Sequence, residues 1–249
     1  KVPFYSPYQE VDIDIMSDAN IYLSDEEKQA FLASLPFYSR LSGNERALLS
    51  ERLLLSRYPA GSSICSLEAQ CLGTVFVKKG ILRLYLLSGD GREATICRLR
   101  DGEVCLLSAS CLMSAVTFDV QIEAETDCEL YIIPSSAFAV LMNANIFVEN
   151  FAYKSMTERF SDVVAAMERM FFMSLRQRIA AFLLDEAAAQ RQDCLSLTQE
   201  QLARAIGSAR EAVSRNLKQM GFEGLIQVSR GQICILNKPA LYAAVQQQK

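Results

Sequence analysis

The sequence contains no histidine and no tryptophan among its 249 residues. Without histidine, the chain cannot form a Ser-His-Asp or Cys-His nucleophile system, an HExxH metal site, or a histidine-ligated zinc or haem centre. An enzyme built on this chain would depend on carboxylates, lysines or thiols. The sequence shows no phosphate-binding glycine loop, no carboxylate pair of defined spacing and no activated nucleophile. We therefore expect that the protein is not an enzyme.

Long apolar runs are also missing. Stretches such as Leu53–Leu55 and Ala180–Leu184 are far shorter than the roughly 18 to 20 residues of a membrane span. The first twenty residues carry four acidic side chains, whereas a secretory signal is basic and then apolar. We expect a cytoplasmic protein with no membrane partner, in which the eight cysteines are reduced thiols rather than a disulfide scaffold.

Charge is distributed unevenly along the chain. The formal net charge is −4, but residues 174–249 hold 10 basic and 6 acidic side chains, whereas residues 1–173 hold 15 and 23. A basic surplus in a small terminal domain favours a polyanionic partner, most simply nucleic acid.

The pattern of apolar residues changes twice along the chain. Ser24 with Glu27 predicts the start of a short helix, and Asn44 is a candidate cap for a second. From Arg57 to Pro134, short runs rich in Val, Ile, Leu, Phe and Tyr alternate with glycine turns such as Asp90-Gly91. This spacing predicts an antiparallel barrel or sandwich, interrupted at about residues 105–116.

A long helix is predicted after this region. Its apolar residues step by three or four and form one stripe, made of Val148, Ala152, Met156, Phe160, Val163, Met167 and Met170. Two interpretations remain open. The stripe packs against its copy in a second subunit as a two-stranded coiled coil, or the helix belongs to the core of one chain. Ser174 with Gln177 then predicts the start of the next helix.

Residues 198–220 carry the clearest motif. Thr198 with Gln201 forms a capping box for one short helix, and Gly207 suits the left-handed turn that ends it. Ser208 with Glu211 is predicted to open a second helix. Two short helices joined by a glycine-containing turn make a helix-turn-helix, and a predicted hairpin over residues 225–236 makes it a winged variant.

The exposed side of the second helix carries groups that suit the DNA major groove. Arginine can bind guanine O6 and N7, glutamate accepts from the cytosine amino group, and serine can bind a base or a phosphate. The predicted DNA-binding residues are Arg210, Glu211, Ser214, Arg215, Lys218, Thr198 and Ser208, with Ser229 and Arg230 at the tip of the wing as phosphate contacts. The alternative is a solvated charged helix in a generic helical hairpin.

From residue 35 to residue 245 the sequence resembles the Crp/Fnr transcription regulators. The matching segments are Leu35–Leu41, Tyr58–Gly61, Lys79–Tyr85, Asp90–Glu93, Asp101–Glu103, the long helix and the winged helix-turn-helix. The resemblance implies an α+β fold, with a β-roll sensor like the cyclic-nucleotide-binding jelly roll, a long dimerisation helix and a winged helix-turn-helix. The expected domains are an acidic extension at 1–23, the sensor at 24–145, the dimerisation helix at 146–173 and the DNA-binding domain at 174–249.

The resemblance also implies partners. Glu211, Ser214 and Arg215 resemble the Fnr-type E-x-x-S-R pattern, which implies a half-site similar to TTGAT in an inverted repeat of double-stranded DNA, bound by a homodimer. RNA polymerase is a further candidate partner.

The effector of the sensor is less determined. Relatives bind a cyclic nucleotide through a Gly-Glu pair and an arginine, and Gly102-Glu103 is present here, but the segment for the arginine reads Thr117-Phe118-Asp119-Val120. An aspartate there would repel a phosphate. Fnr-type iron–sulfur clusters use cysteines near the N-terminus, and this chain has none before Cys65. We therefore assign no cofactor.

The thiols remain as candidates for the signal. Cys65 and Cys71 are separated by five residues, as are Cys105 and Cys111, and the second pair follows Gly102-Glu103 directly. We hypothesise that Cys105 and Cys111 form a redox-, sulfide- or metal-responsive switch, with buried apolar cysteines as the alternative. The competing functions are a cyclic-nucleotide-responsive regulator and a small-molecule-binding regulatory module without DNA function.

Overall fold

A computed structural model describes residues 23–65, 72–89, 91, 93–106 and 120–246. The described residues fall into two compact units, one within Lys1–Arg83 and Leu99–Glu158 and the other within Leu84–Arg98 and Arg159–Lys249. No helix in the described ranges is long and apolar enough to cross a membrane.

Two short helices precede the strands. Helix α1 (Asp25–Ser34) begins where Ser24 accepts a hydrogen bond from the Glu27 amide, as the sequence predicts. Helix α2 (Gly43–Arg52) follows a 3-10 turn at Tyr38–Arg40. Its cap is Ser42, in a capping box with Glu45, so the prediction of Asn44 as the cap is wrong. Ser42 has the extended backbone that a cap requires, whereas Asn44 already lies inside the helix.

The strands form a roll of two four-stranded sheets, which confirms the predicted antiparallel β-domain. The strands are β1 Leu54–Tyr58, β2 Ser63–Cys65, β3 Thr74–Lys79, β4 Leu82–Leu87, β5 Glu93–Leu99, β6 Val104–Cys105, β7 Gln121–Ala124 and β8 Cys128–Ile133. One sheet has the order β1-β8-β3-β6 and the other β2-β7-β4-β5. The predicted interruption at about 105–116 falls mostly outside the described residues.

The turn between β3 and β4 requires glycine. Gly80 has a φ of 105°, and a Cβ atom there would lie 2.6 Å from the backbone oxygen of Asp127. The Gly80 amide donates to the Asp101 carboxylate at 2.8 Å. Backbone packing around this turn leaves no room for a side chain.

A single apolar core joins the helices to the first sheet. It contains Leu32 of α1, Leu49 of α2 and Phe76 of β3, together with residues of two later helices. These are α3 (Ser135–Ala144), which begins after Pro134, and α4 (Ile146–Phe172). The sequence predicts the long helix from residue 146 but no helix at 135–144. Asn145, where the backbone is extended, separates α3 from α4.

Helix α4 is 27 residues long, close to the predicted length, but its apolar residues are divided between two environments. Val148 and Ala152 in its first two turns are fully buried in the core of the roll. Phe160, Met167 and Met170, which the sequence places on the same stripe, are exposed. The predicted stripe is therefore buried in the first two turns of the helix and exposed at Phe160, Met167 and Met170.

The second unit contains the predicted winged helix-turn-helix. Its elements are α5 Leu175–Gln190, β9 Cys194–Leu195, α6 Gln199–Ile206, α7 Arg210–Phe222, β10 Ile226–Ser229, β11 Gln232–Ile235 and α8 Lys238–Gln246. The predicted capping box of Ser174 with Gln177 opens α5. A three-stranded sheet of order β10-β11-β9 packs with the helices around a second apolar core.

The core of the roll is expected to be sensitive to truncation in α3. Leu141 is fully buried, whereas its neighbour Val140 is 56% exposed. We expect Leu141→Ala to lower the free energy of unfolding by about 2 to 5 kcal/mol, because the substitution leaves a cavity. Val140→Ala should change it by less than about 0.5 kcal/mol. Urea unfolding followed by circular dichroism measures both, and equal effects of the two variants would contradict the assigned core.

Candidate DNA interface

The first helix of the motif is fixed at both ends. At its start, Thr198 Oγ1 accepts from the Gln201 amide at 3.1 Å and Gln201 Oε1 accepts from the Thr198 amide at 2.8 Å, which confirms the predicted capping box. At its end, Gly207 adopts φ 63° and ψ 51°, and the Ser208 amide donates to the Ala203 carbonyl at 3.0 Å. The left-handed turn predicted for Gly207 is thus present.

Alanine at Gly207 would be strained, because the left-handed backbone of φ 63° favours glycine. A Cβ atom there would also lie 3.2 Å from Met170 Cε, the end of a flexible side chain, and 3.5 Å from Ala94 Cβ, an ordinary contact distance. Ala94 belongs to β5, whose residues up to Arg98 lie in the same unit as the motif. Thr95 of this strand donates from Oγ1 to the Arg204 carbonyl at 3.2 Å, so strand β5 contacts the last turn of α6.

The second helix begins differently from the prediction. Its N-cap residue is Ala209, and no side chain caps it, so Ser208 does not open the helix as expected. Ser208 lies half-buried in the turn, where its amide already binds Ala203. The Ser208 amide binds a carbonyl at the end of α6, so Ser208 belongs to the end of α6 and does not occupy the N-cap position of α7.

Helix α7 buries one face and exposes the other. Val213, Leu217 and Met220 are buried in the core of the second unit. On the other side, the predicted residues Arg210, Glu211, Arg215 and Lys218 are exposed and Ser214 is half-buried. The structure therefore brings five predicted contact residues together on one helix surface, held in place by an apolar anchor on the opposite side.

The acidic side chain of Glu200 stands beside this surface. Its carboxylate lies 3.9 Å from Arg210 Nε and 3.8 Å from Arg204 Nε. Both contacts are long and exposed, so they contribute little to stability. An anionic ligand can therefore replace them at low cost.

The wing extends from the same unit. Strands β10 and β11 pair in the register Ile226↔Ile235 to Ser229↔Gln232, so Arg230 and Gly231 form the turn. Ser229 and Arg230 are both exposed, at the tip where they were predicted. The predicted hairpin is confirmed.

A disulfide ties the wing to the segment that precedes α6. Cys194 of β9 pairs directly opposite Cys234 of β11, with the two Cα atoms 4.0 Å apart and the sulfurs bonded. The expectation of reduced thiols throughout is therefore wrong for this pair. The two residues are 40 positions apart, so only the strand register, and no local pattern, shows that they face each other.

Two arginines of α5 hold the motif. Arg176 forms a two-pronged ion pair with Glu223 at the end of α7, with Nη1 and Oε1 2.9 Å apart. The Arg176 guanidinium, together with the Gln219 amide, lowers the pKa of Glu223 to about 2. Arg178 Nη1 donates to the Ile206 carbonyl at 2.9 Å, and burial lowers the pKa of Arg178. Neither arginine could be predicted from a local pattern, because the partners of Arg176 and Arg178 lie 47 and 28 residues away.

The effector candidates are only partly described. Gly102 and Glu103 form a turn in which Glu103 Oε2 accepts from the Arg100 amide at 2.7 Å and the Gly102 amide donates to Val77 at 2.7 Å. Cys105 is fully buried on β6. Cys65 ends β2, while Cys71, Cys111 and the segment 117–119 lie outside the described residues. Within the described ranges, no group of three or more Cys, Asp or Glu side chains could hold a metal ion.

The roll also contains a buried ion pair that the sequence did not indicate. The side chain of Arg83 on β4 is almost fully buried, and its Nε and Nη2 lie 3.2 and 3.1 Å from the two carboxylate oxygens of Glu123 on β7. A buried arginine requires such a two-pronged partner. The charge is therefore satisfied within the protein.

Comparison with known proteins gives matches for both units. The model of the cyclic nucleotide-binding domain matches residues 55–145, and that of the Crp-like helix-turn-helix domain matches residues 177–244. The cAMP-activated global transcriptional regulator Vfr of Pseudomonas aeruginosa is 26% identical over 184 residues, which cover 69% of this chain and 84% of Vfr.

Solved structures of similar proteins have the same fold as this chain. A Crp/Fnr-family protein from Eubacterium rectale is 38% identical in sequence to this chain. The match covers 86% of this chain and 99% of the other protein, with a TM-score of 0.82. The c-di-GMP-responsive regulator CLP of Xanthomonas campestris shares the fold at 20% identity and a TM-score of 0.66, over 79% of this chain and all of CLP. The two matched domains and the 38%-identical relative show that the chain belongs to the Crp/Fnr family, whose members are DNA-binding transcription regulators and not enzymes.

Proposed function

We propose that this regulator binds an inverted-repeat operator as a homodimer, and that a thiol signal at its β-roll controls the binding. The observation that carries the proposal is the surface of α7, where Arg210, Glu211, Arg215 and Lys218 are exposed together above a buried apolar anchor. A helix of this kind fits the DNA major groove, which is wide enough to admit it. RNA polymerase is a candidate partner of the bound dimer.

The contact residues divide into two chemical groups. Glu211 and Arg215 of the Fnr-like pattern are assigned to base edges, where glutamate accepts from cytosine and arginine binds guanine. Thr198, Ser208, Ser229 and Arg230, which lie outside α7, are assigned to phosphates, and so are Arg210, Ser214 and Lys218 of α7. Thr198 uses its hydroxyl oxygen to accept from Gln201, which leaves the hydroxyl proton for a phosphate.

The exposed apolar residues of α4 support a dimer. Tyr153, Phe160, Val164, Met167 and Phe171 are all exposed, and at 3.6 residues per turn they lie within about 40° of one line along the helix. This line is rotated by about 130° from the buried residues Val148, Ala152 and Ala166. The spacing 160, 164, 167 and 171 is that of a coiled-coil seam. We therefore assign this stripe to the subunit interface.

The roll is assigned to a thiol signal rather than to a cyclic nucleotide. Vfr is described as cAMP-activated and CLP as c-di-GMP-responsive, so relatives differ in their effectors. Here the sequence at 117–120 carries an aspartate where a cyclic phosphate needs a cation. Cys105 lies on β6, two residues after Glu103. It is the one residue of the proposed pair, Cys105 and Cys111, that the structure describes. A cyclic-nucleotide response remains the competing function, favoured by the domain match.

Base recognition by Arg215 can be tested on an operator selected from a randomised DNA pool. We expect Arg215→Ala to lose about 1 to 3 kcal/mol of discrimination at one base pair, because one guanine contact is removed. Anisotropy titrations against single-base operator variants measure this loss.

The control for this test is Arg191→Asn, which removes the same charge outside α7. Arg191 has a left-handed backbone (φ 54°), which asparagine tolerates. The control should keep the base preference of the parent. A uniform loss of affinity of Arg215→Ala for all sequences would instead assign Arg215 to a phosphate.

The dimer interface can be tested with one substitution at two exposed valines. Val164 lies on the proposed seam and is 46% exposed, whereas Val140 of α3 lies outside it and is 56% exposed. Val164→Glu should weaken the dimer by about 30-fold or more, since it buries a charge in an apolar seam. Val140→Glu should leave the dimer intact. Sedimentation analysis measures both, and an undisturbed dimer of Val164→Glu would contradict the interface.

The thiol signal can be tested by DNA titrations with and without an oxidant, a persulfide or a metal. Cys105→Ser and Cys111→Ser should abolish the change in operator affinity. Cys128→Ser is the matched control, because Cys128 is also a buried cysteine of the roll and should leave the response unchanged. A full response of the Cys105 and Cys111 variants, or a response of the parent to cAMP alone, would contradict the assignment.

A further inference from the structure

The cysteine pair of the wing differs in exposure from two cysteines of the roll. Cys194 is exposed and Cys234 is half-buried, whereas Cys105 and Cys128 are buried. Burial also raises the pKa of the Cys128 thiol, which lowers the fraction of reactive thiolate. Small thiols and disulfides in solution therefore reach the wing pair far more readily than either buried cysteine.

The bond links two segments that position the proposed DNA contacts. On one side, Cys194 lies on β9, which is followed within a few residues by Thr198, the cap of α6. On the other side, Cys234 lies on β11, the strand that returns from the tip of the wing at Arg230. The disulfide thus fixes the wing to the start of the helix-turn-helix.

The fold does not depend on this bond alone. Leu195 is buried in the core of the second unit and pairs with Ile233, and the Ile235 amide donates to the Asp193 carbonyl at 2.8 Å. Asp193 also forms an ion pair with Lys238 at 2.5 Å. None of these contacts uses the sulfur atoms, so we expect both forms of the unit to be folded and the bond to open and close reversibly.

We propose that Cys194 and Cys234 form a reversible thiol-oxidation site that sets the rigidity of the wing. The reaction is exchange with a low-molecular-weight disulfide. The exposed Cys194 thiolate attacks the small disulfide, which gives a mixed disulfide and releases one small thiolate. The Cys234 thiolate then displaces the second small thiolate. The protein loses two protons and two electrons, and the small disulfide is reduced to two thiols.

Oxidation stiffens the wing because the covalent bond removes the freedom of β11 to separate from β9. A wing held in its bound position loses less entropy on association. The oxidised form should therefore bind the operator more tightly, an effect that rests on the proposed function. The stiffening itself does not rest on it.

The first test needs no DNA. The full chain is equilibrated in mixtures of reduced and oxidised glutathione, and peptide mass spectrometry follows the Cys194–Cys234 bond. We expect one two-electron transition at this pair, with Cys105 and Cys128 still reduced. Hydrogen exchange of the amides at 226–235 should be about tenfold slower in the oxidised protein. A missing bond, or equal exchange in both forms, would overturn the proposal.

The second test uses the operator. The oxidised parent should bind about threefold to tenfold more tightly than the reduced parent. Cys194→Ser and Cys234→Ser should bind equally under both conditions, while Cys128→Ser should behave like the parent. Equal affinities of the two parent forms would reject control of DNA binding by this site. If neither form binds DNA, the proposed function is rejected instead. The glutathione and hydrogen-exchange test still shows whether Cys194 and Cys234 form a reversible thiol-oxidation site.

Discussion

The left-handed turn at Gly207 is the constraint on which the proposed DNA-binding surface depends. Gly207, with φ 63°, ends α6, α7 begins three residues later, and the two helices share one apolar core. The turn is enclosed, since a Cβ atom would lie 3.2 Å from Met170 and 3.5 Å from Ala94. Because the buried residues of α7 are fixed by this packing, its opposite face is fixed as well. The charged side chains of α7 are therefore presented by a rigid element rather than by a loop.

Strand β5 adds a second condition at the same place. Thr95 donates to the Arg204 carbonyl in the last turn of α6, which also accepts from the Gly207 amide at 3.4 Å. The guanidinium of Arg98 lies 5.3 Å from the ring centroid of Phe182 on α5. Strand β5 thus makes one hydrogen bond to α6 and one cation–π contact to α5.

Local features of the fold could be predicted from the sequence, and nonlocal ones could not. The capping boxes at Ser174 and Thr198 depend on residues three positions apart, and both are present. The predictions of Asn44 and Ser208 as caps are wrong, because Ser42 and Ala209 occupy the two N-cap positions. Periodicity predicts how far a helix extends but not what covers it.

The long helix and the disulfide illustrate the nonlocal part. The sequence gives α4 one apolar stripe, but the core of the roll covers only its beginning and leaves Phe160 exposed. Which residues are covered depends on where the roll ends, and this is a property of the whole fold. In the same way, the pairing of Cys194 with Cys234 follows from the register of β9 and β11. The charged surface of α7 was predictable because one helix supplies all of it.

The position of each cysteine decides which part of the regulator it can influence. Cys105 lies in the interior of the roll, so a signal there needs a route through the fold to reach α7. Cys194 and Cys234 lie within the DNA-binding unit, and a bond between them acts on the wing without any such route. Under the two proposals, a chain without histidine receives thiol signals at two places, the interior of the roll and the unit that holds the helix-turn-helix. Because coupling between separate sites requires an element with two discrete arrangements, the proposed roll signal depends on a conformational equilibrium, whereas the proposed wing signal acts through a covalent bond within the unit itself.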